Sequence, residues 1–147
     1  MTILVINGPN LNMLGIREPD IYGKNTFADL LRLLDETAAD LKIQVLQYQS
    51  NHEGCLVDKI QESYGKVDGI VINPAAYTHT SVAILDALKA VGIPAVEVHI
   101  SDVDSREAFR QISYAGLACR KTIKSHGLQG YREAIEYLVG FLNHEIA

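Results

Sequence analysis

Cysteine is scarce in this 147-residue chain: Cys55 and Cys119 are the only two, and they lie far apart. That excludes a disulfide framework and suits two free thiols in a reducing compartment, so a cytoplasmic location is expected. Basic runs are missing as well. Thirteen Lys and Arg against eighteen Asp and Glu give a formal charge of −5, which argues against a nucleic-acid backbone as partner. No apolar run is long enough to span a membrane. The opening Met1-Thr2-Ile3-Leu4-Val5-Ile6 breaks at Asn7-Gly8 and carries no cationic leader. Glycine-rich phosphate loops are absent: Gly8 and Gly15 do not form G-x-G-x-x-G, and there is no G-K-[ST], which counts against NAD and ATP. His52-Glu53, His79, His99, His126 and His144 show no metal-ligand spacing, so neither metal nor cofactor is expected. What remains is an ordinary globular composition, 48% hydrophobic and 21% charged, of a length that fits one domain over residues 1–147.

Short apolar runs alternate with amphipathic stretches, the pattern of βαβ units and a parallel sheet. Strands are expected at Thr2–Ile6, Ile43–Gln49, Val67–Asn73, Ala95–His99 and, more weakly, Ala118–Ile123, which carries Arg120 and Lys121. Helices are expected from a Thr26 cap to about Asp40, from Glu53 to about Tyr64, over Ser81–Val91 with Gly92 as its stop, over Ser105–Ile112, and over Leu128–Glu145. Five strands and five helices suggest an α/β, flavodoxin-like three-layer sandwich with a five-stranded parallel sheet in the order 2-1-3-4-5. Between the first strand and first helix, about Gly8 to Lys24, lies a loop long enough to read as a mobile lid.

Three polar clusters follow apolar strands: Asn7-Gly8-Pro9-Asn10-Leu11-Asn12, Asn73-Pro74-Ala75-Ala76-Tyr77-Thr78-His79-Thr80-Ser81 and Glu97-Val98-His99-Ile100-Ser101. In the order 2-1-3-4-5 strands 1, 3 and 4 are neighbours, so these ends meet in one crevice at the switch point, where ligands bind.

Each residue type has a plain reading beside a chemical one. Arg17 and Tyr22 in the long loop form either a solvated turn or a phenol made more acidic by a guanidinium. His99 is either a satisfied core histidine or a general acid oriented by Glu97, since alternation sends both side chains to one face. Ile100 and Ser101 offer backbone N–H groups suited to a carboxylate. Thr80 or Ser81 is a helix N-cap. Asn73 is a turn former or a hydrogen-bonding partner for a hydroxyl. Arg106 and Arg110, four apart on the short helix, share a face and form either a surface ion pair or a contact with a polyhydroxy acid. A non-enzymatic binding domain and a hydrolase using His99 with Ser101 or Ser81 stand as alternatives, although no nucleophile elbow supports the latter.

Five ordered stretches resemble the type II 3-dehydroquinate dehydratases. They are Asn7 through Tyr22-Gly23, Asn73 through Ser81, Glu97 through Ser101, Arg106-Glu107-Ala108-Phe109-Arg110, and Gly127-Leu128-Gln129-Gly130-Tyr131. The resemblance implies anti elimination of water from 3-dehydroquinate through an enolate to give 3-dehydroshikimate, a step of the shikimate route to aromatic amino acids. It implies Tyr22, made acidic by Arg17, as base; Asn10 holding a water at the enolate; and His99, oriented by Glu97, as acid. It assigns the substrate carboxylate to Ile100 and Ser101, the ring hydroxyls to Asn73, His79 and Arg110, and a reach into a neighbouring subunit's site to Asp86. No cofactor or metal is implied, and the assembly implied is a homododecamer, a tetramer of trimers. An imine route is not expected, because no lysine sits in the strand-end clusters and Lys24 is the only one nearby. Two segments differ from the family pattern: Asp102-Val103-Asp104, and Cys119 through His126, which is more polar than the usual strand.

Overall fold

The computed structural model describes residues 1–16, 20 and 24–147. Five parallel strands form one sheet in the order 2-1-3-4-5: β1 (Thr2–Asn7), β2 (Gln44–Gln49), β3 (Gly69–Asn73), β4 (Ala95–Val98) and β5 (Lys121–Ile123). The four helices among the described residues are α1 (Phe27–Leu41), α2 (Glu53–Glu62), α3 (Val82–Val91) and α4 (Gln129–Leu142). The expected flavodoxin-like order is therefore the observed one.

The layers follow from alternation along the strands. Ile3 and Val5 of β1, Val71 of β3 and Val96 and Val98 of β4 pack with Leu30 and Leu34 of α1 and with Ala134, Ile135 and Leu138 of α4. Leu4 and Ile6, Ile70 and Ile72, and Ala95 face the other way, onto Leu56 and Ile60 of α2 and Ile84 and Leu88 of α3. A sheet covered on both faces needs apolar residues at consecutive positions, which is why β1, β3 and β4 read as unbroken apolar runs. Each such fully buried Leu or Ile contributes roughly 1.5–3 kcal/mol relative to exposure.

Local chemistry sets the helix boundaries. Thr26 caps α1 in a reciprocal box: its hydroxyl accepts from the Asp29 N–H, and the Asp29 carboxylate accepts from the Thr26 N–H. Ser81 caps α3 by accepting from the Ile84 N–H at 2.9 Å, and Gly92 ends that helix in the left-handed region. None of the described helices is long and apolar enough to cross a membrane.

Two expectations are corrected. The stretch expected as the helix Ser105–Ile112 forms two separate 3-10 turns, Val103–Ser105 and Ala108–Arg110. The Gln111 side-chain amide donates to the carbonyls of Val103 (2.9 Å) and Arg106 (3.2 Å), tying the two turns together. The expected strand Ala118–Ile123 shortens to Lys121–Ile123, preceded by a 3-10 turn over Ala115–Ala118. Its charged residues cover α4 instead of entering the sheet interior. Arg120 lies 3.7 Å from the Phe141 ring centre, and Lys121 lies 5.2 Å from that of Tyr137. The two segments that depart from the family pattern are joined to each other, because Asp104 pairs with Lys124 at 2.5 Å.

Candidate active site

The carboxyl ends of β1, β3 and β4 converge as expected. Asn7 lies opposite Asn73 in the β1–β3 register, and Ile72 opposite Glu97 in the β3–β4 register. They open into a cleft lined by Asn10, Asn73, His79, His99, Ile100, Ser101, Arg106 and Arg110, with an apolar wall of Leu11, Leu14, Ala75 and Val103. Arg106 and Arg110 thus line one cleft although the helix expected to align them is absent.

The first loop is held against the third by close backbone contact. The Gly8 N–H donates to the Asn73 carbonyl at 2.8 Å, and a Cβ on Gly8 would sit 2.4 Å from the Pro74 carbonyl oxygen. Only glycine fits there. Asn10 takes a left-handed conformation (φ 70°) that asparagine tolerates better than most residues. Its N–H donates to Asn51 Oδ1 at 3.0 Å, while the Gln49 side-chain amide donates to the Gly8 carbonyl at 3.2 Å. Leu11 and Leu14 anchor the next turn in the core.

Glu97 is 1% exposed and lies behind the cleft floor formed by His99, whose Nε2 lies 3.4 Å from Glu97 Oε2. Two hydroxyls complete the carboxylate's shell. Thr122, opposite Glu97 in the β4–β5 register, donates to Oε1 at 2.9 Å, and Ser113 donates to Oε2. The Ser113 oxygen accepts from the Gly116 N–H at 3.0 Å, which leaves its own hydrogen for Glu97. A Cβ on Gly116 would come within 3.1 Å of Glu97 Oε1, so the cradle closes tightly. Burial alone would raise the Glu97 pKa. The hydrogen bond and charge of His99, with the Ser113 and Thr122 hydroxyls, outweigh it and hold the carboxyl below its usual range. The neighbouring Cys119 thiol is pushed up to about 12 by burial and then by the Glu97 charge, which makes it an inert thiol.

His79 sets its Nδ1 2.7 Å from the Ile112 carbonyl. A carbonyl only accepts, so Nδ1 carries the hydrogen and Nε2 remains for the cleft. Arg110 is held by Glu107 at 2.6 Å. Ile100 and Ser101 are buried, and neither backbone N–H has an acceptor among the described residues, whereas their carbonyls bind the N–H groups of Gly127 and Ser125. Amides left open at a cleft wall are chemically suited to an anion.

Asn10, Asn73, His79, Ile100, Ser101 and Arg110 therefore gather in one cleft, with His99 on its floor and Glu97 behind it. Arg17 and Tyr22 lie outside the described residues, as do 18, 19, 21 and 23 of the expected lid. Asp86 stands exposed on α3 and does not line the cleft of its own chain. Sequence reasoning missed Ser113 and Thr122, for which no sequence signal exists. It also missed Gln49 and Asn51, which the strand-end rule applied to β2 would have found.

The fold agrees with comparisons to known proteins. The family model described as dehydroquinase class II matches residues 1–139. The chain is 50% identical over 140 residues to a 3-dehydroquinate dehydratase of Endomicrobium trichonymphae, covering 95% of this chain and 98% of that protein. It is 53% identical over 137 residues to catabolic 3-dehydroquinase 1 of Aspergillus terreus, covering 93% and 90%. The crystal structure of type II dehydroquinase from Butyrivibrio crossotus superposes with a TM-score of 0.93 at 54% identity, covering 95% of this chain and 97% of that one. By sequence and by fold, the chain belongs to the class II dehydroquinase family.

Proposed function

We propose that residues 1–147 form one catalytic unit that removes water from 3-dehydroquinate to give 3-dehydroshikimate by anti elimination. The observation that carries this reading is the convergence, in one cleft, of a carboxylate-backed histidine with two open amides and a set of hydroxyl-binding side chains. The reaction takes a proton alpha to a ketone, stabilises the enolate, and protonates the beta hydroxyl as it leaves as water.

Each step has a candidate. Tyr22 removes the proton as a phenolate that Arg17 makes accessible, because free tyrosine titrates near ~10 and is a poor base at neutral pH. Asn10 orients a water toward the enolate oxygen. His99 delivers a proton to the leaving hydroxyl, and support for this role comes from Glu97, an ionised carboxylate 3.4 Å from its ring. The N–H groups of Ile100 and Ser101 bind the substrate carboxylate. Asn73, His79 and Arg110 bind the ring hydroxyls. No lysine is among the described residues lining the cleft, which supports an enolate over an imine.

Asp86 completes the site of a neighbouring subunit in a homododecamer built from trimers, which is supported by its exposed place on α3 away from its own cleft. A cytoplasmic location fits the two free thiols. Biosynthesis of aromatic amino acids is the proposed use; since relatives named as catabolic are as similar as the others, aromatic auxotrophy on gene deletion is the test. The activity is tested by mixing EDTA-treated protein with 3-dehydroquinate and following the ultraviolet absorbance of the conjugated enone. Turnover that borohydride does not inhibit supports the reading. Binding without turnover, or inactivation by borohydride in the presence of substrate, contradicts it.

A further inference from the structure

Tyr131, the last residue of the closing motif, is fully buried beneath the cleft and carries no part of the chemistry above. Its hydroxyl accepts from Asn73 Nδ2 at 2.9 Å and donates to Asn7 Oδ1 at 2.6 Å. The direction of this chain is fixed at its far end. The Ala75 backbone N–H can only donate, and it donates to Asn73 Oδ1 at 3.1 Å. Asn73 must therefore turn its NH2 toward Tyr131, which accepts there and sends its hydrogen to Asn7. Burial drives the phenol's pKa upward, so that hydrogen stays in place. Ala75 itself sits in the left-handed region (φ 53°), a conformation that alanine holds only under constraint from its surroundings.

We propose that Tyr131 is a positioning residue which, anchored on Asn7, holds one Nδ2 hydrogen of Asn73 and so steadies an amide whose orientation the Ala75 N–H sets, leaving Asn73 a hydrogen-bond donor toward the cleft. One hydrogen of Nδ2 is committed to Tyr131, and the other is the donor left for a ligand. The ligand atom facing Asn73 is accordingly an acceptor, a hydroxyl or carbonyl oxygen. Without Tyr131 the amide keeps Oδ1 on the Ala75 N–H but loses the partner that holds its Nδ2 in place. The inference rests on the proposed reaction, because it gives Asn73's role in binding that substrate a direction.

A double-mutant cycle tests it. Tyr131→Phe should lower kcat/KM about tenfold, the equivalent of ~1.4 kcal/mol, which is the scale of one hydrogen bond, and do so mainly through KM. In an Asn73→Ala background the same change should have no further effect on kcat/KM, because the group it positions is gone. Asn7→Ala, which keeps the phenol and removes the acceptor of its hydrogen, should show the same dependence on Asn73 and serves if Tyr131→Phe folds poorly. Losses that multiply in the double variants would mean a general structural role and overturn the inference. An inactive wild-type enzyme would instead overturn the proposed function, so the two failures are distinguishable.

Discussion

Replacing Glu97 by glutamine changes one oxygen to an NH2 and removes a buried charge while keeping the shape. In the native site three donors converge on the carboxylate: His99, Ser113 and Thr122. Hydrogen bonds to a charged group are worth about 1.5–3 kcal/mol each, and a neutral one about 0.5–1.5. Glutamine can keep the Thr122 bond, but its NH2 meets donors at the other oxygen's position. Relief of the cost of burying a charge offsets part of the loss. The expected net destabilisation at pH 7 is ~1–3 kcal/mol, or roughly 3–10 °C in melting temperature for a chain of this size. The sign of its pH dependence follows from the lowered Glu97 pKa. An unfolded glutamate titrates near ~4.3, so the extra stability of the native protein is complete above that value and is lost as pH falls through the lower folded pKa. Urea denaturation of both proteins at fixed concentration should give a stability gap that is constant from pH 8 to about 6 and narrows below about 4.5. In the same variant kcat should fall about 10–100-fold, part of the ~10²–10⁴ that a positioned acid supplies. Equal stability at pH 7, or a gap that does not close in acid, combined with unchanged kcat, would refute Glu97 as the ionised partner of His99.

Three further outcomes are expected. Tyr22→Phe should lower kcat by several orders of magnitude and leave substrate affinity, measured by calorimetry, nearly unchanged; wild-type turnover would eliminate Tyr22 as the base. Asp86→Ala should weaken activity and subunit association together, and an unchanged oligomer in sedimentation would argue against its place at an interface. Gly8→Ala sets a Cβ 2.4 Å from the Pro74 carbonyl oxygen, a backbone atom that can yield only if a loop moves. It should cost about 1–3 kcal/mol by overpacking and lower kcat/KM, and a thermal shift of zero would refute that contact.

The layered fold was legible because β1, β3 and β4 are unbroken apolar runs and α1 and α3 carry explicit caps in Thr26 and Ser81. The strand ends were legible for the same reason, since every cluster follows such a run. Alternation placed Glu97 and His99 on one face, and the structure keeps them there. At Ser105–Ile112, expected as a helix, the Gln111 side chain bonds backward to the carbonyls of two 3-10 turns, a tertiary arrangement that no periodicity rule registers. Ser113 and Thr122 were invisible because their partner is sixteen or twenty-five positions away and is met only through the sheet register. Tyr131 was visible as part of a motif, but its contacts with Asn7 and Asn73 span separate strands and a helix, so its role could be read only after folding.

The central claim is that base and acid act from opposite faces of the substrate ring. It is tested most directly with 3-dehydroquinate carrying deuterium stereospecifically at one or the other position of the carbon between the ketone and the carbon bearing the leaving hydroxyl. Mass analysis of the enone product should show loss of the label trans to that hydroxyl and retention of the label cis to it. Loss of the cis label would contradict the account, because it would place both proton transfers on one face of the ring.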